Sequence, residues 1–340
     1  MAESAIEILR GEKVESRVLA DVAVVDSLGN LRYWSGDPDR ETFWRSSAKP
    51  FQAMPMIEAG GADRFHMSSE EIAVCCASHG GEDFHLATVS GLMQKIGAGA
   101  DDLVCGIHWP SHKETADRMM ALGEEPTPLH NNCSGKHTGM LTFARTLGVP
   151  LQGYEQPDHP VQQKILENVS VMTGMTPPES IYRGVDGCGV PTFYLSLRRM
   201  AMAYARLVDP RGLSVEKAGA AEIIAEAMRR HPELVSGTGR LEVQLAQATG
   251  YRFVSKAGAE ALFCMGLPEK GLGIAVKMDD GAARTLAPTV LSVLSQMNVL
   301  SAIEREALKE EAYPIIRNHA GRHVGAMRPV LQLHATRIDP

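Results

Sequence analysis

VLADVAVVDSLGNLRYWS, running from Val18 to Ser35, decides how the chain is read. Val18 to Asp26 is dense in β-branched residues and reads as a strand. Ser27-Leu28-Gly29-Asn30 follows as a turn, and Leu31 to Ser35 reads as the returning strand of a hairpin. Toward the other end, Arg252 to Ser255, Ala261 to Met265 and Leu272 to Met278 are again short strand-like runs. Asp279-Asp280-Gly281 after them reads as a hairpin turn. Helical periodicity dominates between the two ends. A helix is expected from Ser46 or Ser47 to Ala59, bent by Pro55. Others cover Asp83 to Ile96, Glu114 to Leu122, His137 to Leu147 and Val215 to Arg230. Val161, Ile165, Val169 and Met172 mark one more. Phe193, Leu197, Met200, Tyr204 and Leu207 mark another, stopped at Asp209-Pro210. Ile72 to Ala77 reads as a short buried strand, and Ala287 to Val299 and Ile303 to Glu310 as closing helices. Strands at both ends with helices between predict an α+β fold, an antiparallel sheet with helices on it. No repeat or low-complexity linker marks a boundary, so residues 1–340 read as a single domain.

Composition narrows the function. With 44% hydrophobic and 22% charged residues the chain is not disordered. A net charge of −7 argues against a nucleic-acid partner. No run of 18 apolar residues predicts a membrane helix. Met1 to Arg17 lacks an apolar signal core, so the cytoplasm is the expected compartment. Six cysteines in 340 residues are too few for a disulfide framework and read as thiols, metal ligands or core residues.

Five stretches could carry chemistry. Arg45-Ser46-Ser47-Ala48-Lys49 holds the Ser-x-x-Lys spacing of serine β-lactamases and penicillin-binding proteins. On the first turn of a helix, positions i and i+3 share a face, so Lys49 can reach the Ser46 hydroxyl. The other reading is an N-cap serine. Four letters are a weak signal, because Ser214-Val215-Glu216-Lys217 matches too. There Ser214 reads as a cap and Lys217 as solvated. Cys75-Cys76-Ala77-Ser78-His79-Gly80-Gly81-Glu82 is a presented Ser-His pair or a plain turn, with Cys75 and Cys76 as core residues. His130-Asn131-Asn132-Cys133-Ser134-Gly135-Lys136-His137 is not a P-loop, since His130 stands at the first Gly position and His137 follows the lysine. Cys133 and Lys136 could share a helix face, or the stretch is a capped start with a buried cysteine. Gly184 to Pro191 surrounds Asp186 and Cys188 with three glycines, which suits close approach to a ligand or a bare loop. Ser255-Lys256-Ala257-Gly258 is similar to the strand-borne Lys-Thr-Gly of β-lactamases. His-Glu-x-x-His, Cys-x-x-Cys, Gly-x-Ser-x-Gly and a dinucleotide fingerprint are absent.

Taken together and in order, RSSAKPFQA (Arg45 to Ala53), ASHGGE (Ala77 to Glu82), HNNCSGKHTGM (His130 to Met140), DGCGVPT (Asp186 to Thr192) and SKAGAE (Ser255 to Glu260) resemble the rhizobial-type L-asparaginases, the asparaginase II family. The resemblance runs along nearly the whole chain. It implies a fold similar to serine β-lactamases, hydrolysis of L-asparagine to L-aspartate and ammonia, and a homodimer. It implies two Ser-Lys pairs, Ser46 with Lys49 and Ser78 with Lys256. It also implies a zinc ion on Cys133, Lys136 and Cys188, with Asp186 holding a zinc-bound water and Arg45 and His137 lining the substrate pocket. The Gly-Gly-Thr motifs of the threonine-nucleophile asparaginases are absent.

These parts cohere chemically. An amide carbonyl needs an activated nucleophile, and a serine hydroxyl needs a base. A lysine is a base only as the free amine, a form favoured by burial and by neighbouring positive charge. Lys136 can bind a metal only as the free amine, so proton and metal compete for it. The expectation is attack by Ser46 with Lys49 as base, supported by Ser78 and Lys256, with zinc positioning substrate. Competing readings are a glutaminase, a β-lactam-binding enzyme, and a non-catalytic zinc-dependent asparagine-binding protein.

Overall fold

The Val18 to Ser35 hairpin forms because Asp26 organises its turn. One carboxylate oxygen accepts the backbone N–H groups of Leu28 and Asn30, and the other takes the Asn30 amide and the Arg32 guanidinium. In the computed structural model, which describes residues 2–336, strand Lys13–Asp26 pairs antiparallel with Leu31–Ser35, placing Val22 opposite Ser35 and Val24 opposite Tyr33. The hairpin belongs to a nine-stranded sheet. Its main path runs Ile315–Arg317, His323–Pro329, Glu3–Arg10, Lys13–Asp26, Leu272–Met278, Leu262–Leu267 and Val254–Gly258. Leu31–Ser35 lies off this path beside Lys13–Asp26 and carries the short strand His334–Ala335. Its recorded pairings are antiparallel. Ile6 faces Pro329, so the two ends of the chain are sheet neighbours, as the α+β reading requires.

Two compact units divide the chain. The first comprises the chain up to Thr42, Leu195–Asp209 and the chain from Gln244, and it holds this sheet. Ala20 to Val25 and Leu262 to Leu267 are buried without alternation, the mark of strands covered on both faces. Helix Leu197–Val208 packs on the central strands, and helix Leu286–Gln296 packs against the same sheet. Glycine sets the closeness of the first contact. A Cβ added at Gly273 would lie 1.8 Å from the Ala201 carbonyl oxygen, and one at Gly266 would lie 2.9 Å from that of Tyr204.

The second unit, Phe43–Tyr194 with Pro210–Val243, is mainly helical. Its axis is helix Lys49–Glu58, whose residues Lys49 to Ile57 are all buried. A helix apolar on every side belongs inside a protein. Helices Ser69–Cys75, Ser134–Leu147, Pro160–Thr173 and Val215–Arg230 surround it. Among the described residues no helix is long and apolar enough to cross a membrane.

Four local readings are corrected. Ile72 to Ala77 is not a strand; helix Ser69–Cys75 occupies it. Ser68 and Glu71 form a reciprocal capping box at its start. A short apolar run is ambiguous by periodicity alone, and the cap decides it. Phe193 lies on strand Pro191–Ser196, and the helix begins at Leu197, where the Ser196 hydroxyl accepts the Arg199 N–H. Asp279 to Gly281 leads into a 3-10 turn and helix Leu286–Gln296 rather than a hairpin. Lys217 is not solvated, because its ammonium donates to Glu58 and to the Asn168 side-chain oxygen, each at 2.6 Å. Ser214 caps its helix as expected.

Gly273→Ala is expected to lower the melting temperature, since overpacking costs roughly 1–3 kcal/mol. Gly219→Ala, with open space around its Cβ inside helix Val215–Arg230, is expected to raise it, because alanine gains about 1 kcal/mol over glycine in a helix. Paired thermal melts check both signs.

Candidate active site

Three turns of the helical unit present its polar groups, and each is built by local hydrogen bonds. The first is the 3-10 turn Arg45–Ala48, which passes into helix Lys49–Glu58. Arg45 opens it with φ +50, a left-handed conformation that side-chain-bearing residues rarely adopt. The Arg45 N–H donates to Thr192 Oγ1 at 3.2 Å. The second turn runs from Ala77 through Ser78 at the end of helix Ser69–Cys75, with the Ser78 N–H donating to the Val235 carbonyl at 2.8 Å. The third is the start of helix Ser134–Leu147. There Asn131 Oδ1 accepts the Cys133 N–H at 2.9 Å while its Nδ2 donates to the Cys105 carbonyl at 2.8 Å. Gly135 lets this helix approach its neighbour: a Cβ there would stand 2.2 Å from the Val74 carbonyl oxygen.

Lys49 joins these turns. Its side chain is buried, and Nζ donates to the Ala77 carbonyl, to Ser78 Oγ at 2.8 Å and to Cys133 Sγ at 3.2 Å. Ser46 is not among these partners. The link between Ser46 and Lys49 is through the backbone, where the Lys49 N–H donates to the Ser46 carbonyl. Three contacts suit either protonation form of the amine. An ammonium fills them with three N–H bonds. A free amine fills two as donor and accepts the Ser78 hydroxyl proton on its lone pair. Ser46 and Ser78 are both half-buried.

Asp186-Gly187-Cys188-Gly189 is the tight turn of the hairpin Tyr182–Val185/Pro191–Ser196. The Gly189 N–H returns to the Asp186 carbonyl at 2.9 Å, and Gly189 takes φ +91. This turn presents Cys188 to Lys136, whose Nζ donates to Cys188 Sγ at 2.8 Å. Cys133 and Cys188 act on each other in opposite directions. Cys188, with Lys49 and Lys136 nearby, draws Cys133 well below the ordinary thiol range against its burial. Cys133, with burial, pushes Cys188 up. Burial alone would lower Lys136, but the charges of Cys133 and Cys188 raise it.

Arg45 Nε donates to Asp186 Oδ1 at 2.8 Å, and the same oxygen accepts the Gly187 N–H at 2.9 Å. Burial would raise the Asp186 carboxyl, yet Lys136, Arg45 and that N–H hold it below the ordinary carboxylate range. Two histidines are buried here. His79 Nδ1 accepts the Gly81 N–H, so its Nε2–H donates to Ser134 Oγ at 2.9 Å, and Ser134 passes its own proton to the Leu129 carbonyl. His79 is thus a strut with both nitrogens engaged. His137 Nδ1 lies 2.7 Å from the Tyr154 hydroxyl, whereas its Nε2 is buried without a partner among the described residues. Burial first, then the charges of Lys136 and Lys49, push His137 well below the ordinary imidazole range. Tyr154 lies in no motif and is found only in three dimensions, whereas Thr192 closes the DGCGVPT stretch and only the fold shows its bond to Arg45.

The structure therefore joins Ser78, Lys49 and Cys133 in one bonded chain and Lys136 with Cys188 in a second bonded pair, with Arg45 and Asp186 as an ion pair. Lys256 belongs to the sheet unit, on strand Val254–Gly258, where its buried side chain donates to the Ala257 carbonyl at 2.9 Å. Among the described residues no three His, Cys, Asp or Glu side chains cluster to hold a metal ion. The chemistry of the donor set nevertheless fits a borderline-soft ion: two buried thiols, with an amine bonded to one of them that becomes a ligand once it yields its proton.

The sequence profile of the L-asparaginase II family matches residues 6–329. No curated protein matches the chain. Among solved structures, the chain is similar to a β-lactamase from Mycobacterium bovis, with 13% identity and a TM-score of 0.41 over 82% of this chain and 94% of that one. It is also similar to an octameric penicillin-binding protein homologue from Pyrococcus abyssi, with 14% identity and a TM-score of 0.43 over 89% and 79%. Unliganded simvastatin synthase from Aspergillus terreus gives 12% identity and a TM-score of 0.36 over 86% and 94%.

Asp186→Asn tests the ion pair through pH. A carboxyl depressed on folding adds stability above its unfolded pKa, near about 3.9, and that stability is lost as pH falls through the lower folded value. The variant is expected to be less stable at neutral pH and to lose less of its stability below about pH 4. Melting curves from pH 7 to pH 3 check it; parallel curves for the two proteins would oppose it.

Proposed function

The chain belongs to the L-asparaginase II family, and from that premise we propose that it hydrolyses the side-chain carboxamide of L-asparagine to L-aspartate and ammonia. The observation that carries the reading is the 2.8 Å contact between Lys49 Nζ and Ser78 Oγ. A serine beside a buried lysine amine is a nucleophile with its base in place. In this proposal Lys49, as the free amine, takes the Ser78 proton while Ser78 Oγ adds to the carboxamide carbon. The proton passes to the departing nitrogen, ammonia leaves, and an ester to Ser78 remains. Water, deprotonated in turn by Lys49, hydrolyses that ester and restores the serine.

The hydrogen-bond geometry thus favours Ser78 over Ser46 as the attacking serine. Ser46, one turn before Lys49, is proposed to line the reacting carbonyl. Lys256 is carried over from its motif as a second lysine for proton transfer. Arg45 is proposed to take the substrate α-carboxylate, with Asp186 holding the guanidinium in orientation and His137 lining the same pocket. Cys133, Lys136 and Cys188 would hold a zinc ion. When bound, it would supply positive charge that positions substrate, two thiolates having softened its Lewis acidity. The assembly is proposed as a homodimer.

Ammonia release from L-asparagine by the purified protein tests the reading, with L-glutamine in parallel. One methylene discriminates by about 10–200-fold at most. Ser78→Ala is expected to lose at least about 100-fold in kcat, the lower range for a group that moves the proton in the reaction. Ser46→Ala is expected to retain measurable turnover. The opposite ranking would return the nucleophile to Ser46. No ammonia from either amide would reject the asparaginase reading and favour binding without turnover. Chelation is expected to raise KM and spare kcat; a collapse of kcat at saturating substrate would oppose the positioning role of zinc.

A further inference from the structure

We propose that Tyr154 is a positioning residue that fixes the tautomer of His137, so that His137 presents its Nε2–H as a hydrogen-bond donor to a substrate oxygen. The inference follows from counting donors and acceptors. Tyr154 and His137 are both buried. The Tyr154 hydroxyl oxygen accepts the Val104 N–H at 3.2 Å, and its other neighbour is His137 Nδ1 at 2.7 Å. If the oxygen accepted from both Val104 N–H and Nδ1–H, its own proton would be buried without an acceptor; the pairing that satisfies every group sends the hydroxyl proton to Nδ1. A neutral imidazole that accepts at Nδ1 carries its proton at Nε2. The two rings meet edge to face, with centroids 5.6 Å apart at 81°, which holds the imidazole against rotation.

The consequence lies on the other side of the ring. Nε2 is buried and has no partner among the described residues. An orphaned buried donor is unfavourable and calls for an explanation. His137 lies in helix Ser134–Leu147, whose N-cap residue is Cys133. A ligand that brings an oxygen acceptor to Nε2 would satisfy the donor. The fixed tautomer also means that Nε2 has no lone pair to offer, so His137 acts as a donor and not as a general base. The identity of the oxygen, a carboxylate or carboxamide oxygen of L-asparagine, rests on the proposed function; the tautomer does not.

Nitrogen NMR of the protein as purified, labelled with ¹⁵N-histidine, decides the tautomer without reference to activity. The His137 signals are assigned by their loss in His137→Gln. The expected result at neutral pH is a protonated Nε2 and an unprotonated, hydrogen-bonded Nδ1. A protonated Nδ1 in the wild-type protein would overturn the proposal whether or not any variant folds. Tyr154→Phe keeps the ring contact and removes the hydroxyl. It is expected to mix the two tautomers and to lose about 10–100-fold in kcat/KM, the range for residues that orient a functional group. Unchanged His137 signals in a folded Tyr154→Phe would also overturn it. If L-asparagine yields no ammonia while the wild-type signals appear as expected, the substrate assignment fails and the tautomer assignment stands.

Discussion

A buried amine must be satisfied on every side, and the helical unit is arranged around that requirement at Lys49. The Ala77 carbonyl, the Ser78 hydroxyl and the Cys133 sulfur come from two other segments, and all are met by one nitrogen. Leaving a buried polar group unmatched costs roughly 1–3 kcal/mol, more if it is charged. Helix Lys49–Glu58 therefore cannot slide without breaking all three contacts. The same economy reaches outward through glycine. Gly135 brings helix Ser134–Leu147 against the Val74 carbonyl, and a Cβ at Gly139 would lie 3.0 Å from the Cys75 side chain. These close approaches deliver Cys133 and Ser78 to the same lysine.

Charge is distributed with similar care. The basic groups Lys136 and Arg45 are matched by Cys133, drawn well below the ordinary thiol range, and by the carboxylate of Asp186, held below its own ordinary range. Two of the buried histidines, His79 and His137, are held well below the ordinary imidazole range, each with burial as the main cause. They differ in use. His79 spends both nitrogens on internal bonds, whereas His137 holds one in reserve.

How much of this was legible in the sequence depended on range. The Val18 to Ser35 hairpin and the Leu272–Met278 strand are written in local patterns and formed where expected. Ile72 to Ala77 was misread because a helix buried all round has no polar face to show its period, and only the Ser68–Glu71 cap distinguishes it. Glu3–Arg10 and His323–Pro329 give no reading: each has a hairpin neighbour, but the pairing that joins them to each other spans some 300 residues, a contact that local patterns do not encode. At the site, the family resemblance groups Cys133, Lys136 and Cys188, which local spacing does not, and the fold bonds Lys136 to Cys188. Spacing alone matched Lys49 with Ser46, whereas the amine turns to a serine 29 positions on. Tyr154 sits in a loop with no distinguishing neighbours, and only its hydroxyl's position reveals it.

Arg45 holds φ at +50, a backbone state that costs a residue with a side chain roughly 1–2 kcal/mol and a glycine almost nothing. Selection for heat tolerance alone would thus be drawn toward glycine at this position and would discard the guanidinium that pairs with Asp186. Directed evolution of a more durable protein has a trap built in here. The safest library holds Arg45 constant and seeks its gains elsewhere, at unstrained positions such as the open helical glycine, Gly219.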